Sequence, residues 1–307
     1  MSDNRTVWPL ASLVSELREI REQSLAVRQR LNQPPKLPSR KILAQLVDQI
    51  GAALFPNRLG SPDLSPDGVD YFVGQTLDNL LKQLSRQITL ELTFKAKDAA
   101  SLDSAAERAH DITVAFAAQL PTIRRLIDSD IQAAYEGDPA ASSPDEVLIC
   151  YPGIIAILHH RTAHALYRLG APLVARVIAE AAHSATGIDI HPGAQIEDSF
   201  FIDHGTGVVI GETTIIGKRV RVYQAVTLGA KRFAKDENGH LVKGNARHPV
   251  VEDDVVIYAG ATILGRITIG TGSVIGGNVW LTHSVPPHSH ISQSQPTARL
   301  FSEGGGI

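Results

Sequence analysis

Two side chains in the glycine-rich second half of the chain have the types and spacing of a general-base pair, Asp189 and His204. An aspartate beside a histidine fixes the imidazole tautomer and stabilises the imidazolium, which is what removing a hydroxyl proton requires. Taken alone, a buried, hydrogen-bonded histidine would explain the pair equally well. Other catalytic strings are missing: there is no GxSxG and no HExxH. Gly211–Lys218 is one residue too long between its glycines for a P-loop, and Arg219 stands where Ser or Thr is needed. Gly205-Thr-Gly207 has no strand–helix unit around it, so it is not a dinucleotide fingerprint. His159, His160 and His164 fall on a predicted helix without an acidic partner in the string. They read as packing or surface residues, and no metal site is expected.

The elements that must position Asp189 and His204 show a period of six. Ile190, Ile196, Ile202, Val208, Thr214, Val220 and Val226 recur in one frame; Val251, Ile257, Ile263, Ile269, Ile275 and Leu281 recur in a second. A helix repeats at about 3.6 and a simple strand at 2. A hexad repeat is the signature of a β-helix, with one short strand and one turn per hexad and the aliphatic residue stacked inside. If a coil holds three hexads, Asp189 and His204 are almost one coil apart and become neighbours. The frame breaks between Val226 and Val251, whose separation is not a multiple of six, and the intervening Lys231–Pro249 is polar and charged. Such a segment cannot sit in a solenoid wall, so a loop protruding at about 231–249 is expected.

The first half is punctuated differently. Only seven of the 25 glycines precede Gly187. Apolar residues recur at helical spacing over Leu10–Leu31, Lys41–Leu54, Val69–Lys97, Ser104–Tyr135, Pro152–Leu169 and Pro172–Ser184. Each stripe is expected to pack in a core. The expected organisation is α+β: a helical N-terminal domain over 1–185, a β-helix over 186–290 and a flexible tail over 291–307. With 307 residues, 43% hydrophobic and 20% charged, the chain can bury a substantial core. Its 29 basic and 32 acidic residues argue against nucleic-acid binding by bulk charge. No apolar run approaches the ~18–20 residues of a membrane span, and the start is polar, with no signal peptide. The single cysteine, Cys150, excludes an intramolecular disulfide and fits a reducing cytoplasm.

Several strings together resemble serine O-acetyltransferases, which belong to the left-handed β-helix acyltransferases. They are Gly137-Asp-Pro-Ala, Tyr151-Pro-Gly, Asp189-Ile-His-Pro-Gly, Asp203-His-Gly-Thr-Gly-Val-Val-Ile-Gly-Glu-Thr, Val226-Thr-Leu-Gly229, Arg247-His-Pro and Val285-Pro-Pro-His288. The resemblance spans roughly Asp138–His288. It implies acetyl transfer from acetyl-CoA, a co-substrate rather than a bound cofactor, to the hydroxyl of L-serine, as in cysteine biosynthesis. It implies His204 as general base with Asp189 as its partner. Asp138 and Asp203 would meet the serine ammonium, and Arg247 and His248 its carboxylate. Ala230, Ala259 and Gly277 would hold coenzyme A through backbone groups in a groove between subunits. A homotrimer, or a dimer of trimers, is implied as well. The tail Ser302-Glu-Gly-Gly-Gly-Ile307 ends in a free aliphatic carboxylate. In the family such an isoleucine enters O-acetylserine sulfhydrylase, which makes Ile307 a candidate partner-binding residue. The chain departs from the common pattern at Ala230, at Ala246 and in its long charged loop.

Three other readings compete. One keeps the fold but takes a different hydroxyl or amino acceptor, for which a zwitterion site would be unnecessary. A zinc hydro-lyase of the carbonic-anhydrase kind needs three histidine ligands, and no third joins His204 and His248. A non-catalytic scaffold would have no use for the Asp189/His204 pair.

Overall fold

The computed structural model describes residues 8–27, 36–61, 63–96, 98–232 and 236–293. Among the described residues, ten α-helices precede the first strand: α1 (Leu10–Val27), α2 (Arg40–Leu54), α3 (Pro56–Leu59), α4 (Val69–Lys95), α5 (Ala99–Asp103), α6 (Ala105–Ala117), α7 (Leu120–Gly137), α8 (Pro144–Cys150), α9 (Pro152–Leu169) and α10 (Pro172–Thr186). The stripes of α2, α4, α7, α9 and α10 enter one core, as their periodicity predicts; α2 buries Leu43, Leu46, Val47 and Ile50. α1 departs from the expectation. Leu10, Leu13, Val14, Leu17 and Ile20 all face solvent, so its stripe packs against nothing among the described residues. α3, α5 and α8 are too short for a periodic signal; α8 is set by Ser143, whose hydroxyl caps Glu146 N–H at 3.1 Å. α10 lacks a side-chain cap of its own. Glu91 of α4, fully buried, supplies one by accepting from Leu173 N–H at 2.9 Å and Val174 N–H at 2.8 Å.

Among the described residues, fourteen short strands then wind as a parallel β-helix with three flat sides. The first side stacks β1 (Asp189–Ile190), β4 (Val209–Ile210), β7 (Thr227–Gly229), β10 (Thr262–Leu264) and β13 (Trp280–Leu281). The second stacks β2 (Gln195–Ile196), β5 (Ile215–Ile216), β8 (Val250–Val251) and β11 (Thr268–Ile269). The third stacks β3 (Phe201–Ile202), β6 (Arg221–Val222), β9 (Val256–Ile257), β12 (Val274–Ile275) and β14 (His290–Ile291). The second residue of nearly every strand points inward and stacks on its counterpart, as Ile190, Ile210, Leu228, Ile263 and Leu281 do. The loop of 231–249 leaves between β7 and β8, and its described residues from Asp236 to Ala246 are exposed.

The hexad frame read from the sequence needs one correction. After Ile202 the inward strand residues are Ile210, Ile216, Val222 and Leu228, two positions later than the continuous frame. Val208, Thr214, Val220 and Val226 are buried too, but at the approach to each strand. The pairing register shows the slip: Asp189 pairs with Val209 and Val209 with Thr227, and the first of these steps is longer by two. The two additional residues fall at the corner between the third and first sides, within Asp203–Gly207. Gly207, Ala225, Gly260 and Asn278 stack there with φ of 77°, 58°, 73° and 55°. His204 (φ 57°) and Gly205 (φ 89°) are additional left-handed residues in the first coil alone. Gly205 must be glycine on a second count, because a Cβ there would come within 2.5 Å of Ile188 Cδ1.

Candidate active site

The two-residue insertion explains how His204 is presented. The bulged corner turns its imidazole outward, with the side chain 72% exposed, while Asp203 beside it is buried. His204 Nε2 lies 3.8 Å from Asp203 Oδ1. The second expected carboxylate, Asp138, sits just past the C-terminus of α7. Its Oδ1 accepts from Ala140 N–H at 2.8 Å and its Oδ2 from the Tyr151 hydroxyl at 2.5 Å. The Tyr151 bond first, and the Ala140 bond second, hold the Asp138 carboxyl below the usual range; the same bond pushes the Tyr151 phenol up to about 12. Arg221 of β6 joins the two acids. Its Nη2 donates to Asp203 Oδ2 at 2.6 Å and its Nη1 to the Gly137 carbonyl at 2.6 Å. Asp138, Asp203 and His204 therefore form one cluster, with Tyr151 and Arg221 as partners that the sequence reading missed. Tyr151 stands in one of the quoted strings; Arg221 is legible only from strand register.

Arg247 and His248 form a different cluster, at the corner between the first and second sides. Arg247 Nη2 donates to Glu212 Oε2 at 2.6 Å, and the Tyr167 hydroxyl reaches Glu212 Oε1 at 3.3 Å. Thr213 organises the turn: its Oγ1 accepts from Arg247 N–H at 2.9 Å and His248 N–H at 3.1 Å. Its backbone N–H donates to His248 Nδ1 at 3.1 Å. A neutral imidazole whose Nδ1 accepts carries its proton on Nε2. Burial, then the Arg247 charge, pushes the His248 imidazole down to about 4, so it is neutral near pH 7. Gly211 makes room for this ring, since a Cβ there would lie 2.0 Å from His248 Cδ2. Glu212 and Thr213 lie within a quoted string, but nothing in the string marks them as the braces of Arg247 and His248.

No hydrogen bond joins Asp189 and His204 among the described residues; the first coil is longer than three hexads, and the bulge turns the imidazole outward. Burial first, and the Arg176 charge second, push the His191 imidazole down. Within one chain, Asp138 and Asp203 stand at a different corner from Arg247 and His248. A whole side of the helix lies between their corners, roughly six residues at ~3.3 Å each, or about 20 Å. The expected coenzyme positions divide in the same way. Ala259 and Gly277 stack on the His204 edge, where Ala259 O accepts from Asn278 N–H at 2.8 Å, and Ala230 lies on the His248 edge. His159 and His160 are buried, and His164 is half-buried with Nδ1 2.8 Å from Pro192 O. Ile307 lies outside the described residues.

Comparison with known proteins agrees with this architecture. Residues 248–283 match a family described as bacterial transferase hexapeptide, six repeats. A serine acetyltransferase of Synechococcus elongatus, plasmid-borne by its name, is 56% identical over 99% of this chain and 96% of its own length. The structure of serine acetyltransferase isoform 3 from Entamoeba histolytica, in complex with cysteine, superposes with a TM-score of 0.72 at 36% identity, covering 94% of this chain and 96% of that one. The Neisseria gonorrhoeae serine acetyltransferase in complex with serine superposes at 0.54 with 26% identity, covering 82% and 97%. A helical half, a hexapeptide β-helix and near full-length identity to such an enzyme place this chain in the serine acetyltransferase family.

Proposed function

We propose that the chain is a serine O-acetyltransferase whose active site is shared between copies. The observation that carries this is the division of the zwitterion-binding charges between two corners of one β-helix. Serine bears its ammonium and its carboxylate on a single carbon, so two groups about 20 Å apart cannot both hold one molecule. A threefold ring sets the Arg247/His248 corner of one copy against the Asp138/Asp203/His204 corner of the next and closes three sites. The same groove then takes acetyl-CoA as co-substrate, between Ala230 of one copy and Ala259 and Gly277 of another. The outward residues of the first side are compatible with such packing: Asp189, Val209, Thr227, Thr262 and Trp280 include only one charge. The unpacked stripe of α1 is the surface on which two such trimers would pair.

In the proposed reaction, Asp138 and Asp203 hold the ammonium while Arg247 and the Nε2–H of His248 hold the carboxylate. His204 takes the proton of the serine hydroxyl as its oxygen attacks the thioester carbonyl carbon. The tetrahedral adduct expels the coenzyme A thiolate, which recovers that proton from the imidazolium, so no acyl-enzyme forms. Asp189 is retained as the positioning carboxylate, because catalytic hydrogen bonds often tighten only in the substrate complex. The first test is thiol release from acetyl-CoA with L-serine, wild type beside His204→Ala. Serine-dependent release that the substitution lowers by roughly 10²–10⁴-fold is expected. Release with another hydroxyl acceptor but not with serine would overturn the substrate. Ile307 is proposed as the anchor for O-acetylserine sulfhydrylase; unchanged affinity after its deletion would refute that role.

A further inference from the structure

We propose that Arg221 is a positioning residue that sets the acceptor pocket for a single ammonium group; the inference rests on the assignment of Asp138 and Asp203 to that ammonium. The two acids come from different parts of the fold, one from the end of α7 and one from the end of β3. α7 is docked on this coil through Asp130, which accepts from Phe200 N–H at 2.9 Å, but that contact lies about two turns before Asp138. Arg221 ties the two acids at their own end with one planar fork: Nη2 holds Asp203 Oδ2, and Nη1 holds the carbonyl of Gly137, the residue before Asp138.

The fork is itself pinned. Its guanidinium carbon lies 4.8 Å from the Phe201 ring centroid and 4.6 Å from that of Tyr223. Tyr223 in turn stacks on Tyr258 at 5.0 Å and 17°. Nε is buried without a hydrogen-bond partner among the described residues. An arginine that leaves Nε unpaired while satisfying both ends is oriented for those two contacts. The charge count agrees. Two carboxylates repel each other and would together attract a dication or a proton; one guanidinium leaves a net charge of −1, the complement of one ammonium. Asp203 Oδ1 stays directed toward His204, so the acceptor's ammonium and the base are addressed by the same residue.

The experiment is steady-state kinetics of the full chain with Arg221→Met, Arg221→Lys and Asp203→Asn. Arg221→Met is expected to raise KM for serine by roughly 10–100-fold, the range of one charge-assisted hydrogen bond, and to leave KM for acetyl-CoA within about twofold. Arg221→Lys restores the charge without the fork and should recover only part of the loss. Arg221→Met combined with Asp203→Asn should cost less than the product of the two single effects. An unchanged KM for serine in Arg221→Met overturns the proposal. So does a matched rise in both KM values with a lowered thermal midpoint in both Arg221 variants, which marks a purely structural role. Failure of the parent reading looks different: Asp203→Asn would leave KM for serine unchanged while Arg221→Met raised it.

Discussion

Asp130→Leu and Arg161→Met each break a buried ion pair that fastens α7 and α9 to the first coil of the β-helix. Arg161 Nε and Nη2 donate to the two Asp130 oxygens at 2.7 and 2.8 Å, and the side chains are 3% and 0% exposed. Nη1 and Nη2 also reach the carbonyls of Ile196 at 3.1 Å and Glu197 at 2.9 Å, and Asp130 Oδ1 accepts from Phe200 N–H at 2.9 Å. These carbonyls lie on the uncovered edge of the first coil, where no preceding strand can pair with them. Removing either partner strands a buried charge, at a cost of about 3–5 kcal/mol. Two independent losses would total about 6–10 kcal/mol on that basis. The double variant has no stranded charge; three backbone groups lose partners, at ~1–3 kcal/mol each, so about 3–9 kcal/mol, centred on about 6, is expected. Set against the additive centre of about 8 kcal/mol, a coupling of about 2 kcal/mol follows. Urea unfolding at fixed protein concentration, followed by far-UV circular dichroism, measures all four proteins. Hydrogen exchange of amides 195–203 reports whether the edge opens first. Strictly additive losses, or single losses below about 1 kcal/mol, would refute the reasoning.

Other outcomes follow from the same geometry. Glu212→Gln weakens the hold on Arg247 and should raise KM for serine by roughly 3–10-fold with KM for acetyl-CoA unchanged, since the lost partner is worth about one ion-pair hydrogen bond; an unaltered KM for serine would remove Glu212 from the site. His248 titrates at about 4 in the fold against about 6.5 unfolded. The unfolded chain therefore binds the proton first as pH falls, and stability declines between about 6.5 and 4. His248→Gln should flatten that part of the thermal-midpoint profile, and an unchanged slope would contradict a buried neutral imidazole. Light scattering should give six times the 33.0 kDa chain mass for wild type and three times for Leu13→Glu/Leu17→Glu, if the α1 stripe pairs trimers; three copies in both would leave that stripe without the proposed role.

The large-scale organisation is legible in the residue pattern. A period of six is compatible with neither a helix nor a flat sheet, so the hexads dictate a solenoid, and a long polar interruption, Lys231–Pro249, can only leave it as a loop. Helical stripes are equally legible wherever they run for several turns. Their destination is not: the stripe of α1 has the spacing of a core helix, yet it packs against nothing among the described residues, because periodicity specifies a face and not its partner. His204, Asp138, Asp203, Arg247 and His248 can be chosen from residue type and resemblance, but their grouping cannot. A frame slip of two residues within Asp203–Gly207 is almost invisible where Val208 and Ile210 are both aliphatic, yet it bulges the corner and turns the His204 imidazole outward. Arg221 pairs with Asp203 across 18 residues and with Gly137 across 84. Coil register and the docking of α7 bring those groups together, and neither leaves a local signature in the chain, because strand stacking and helix packing are decided by contacts distant in sequence.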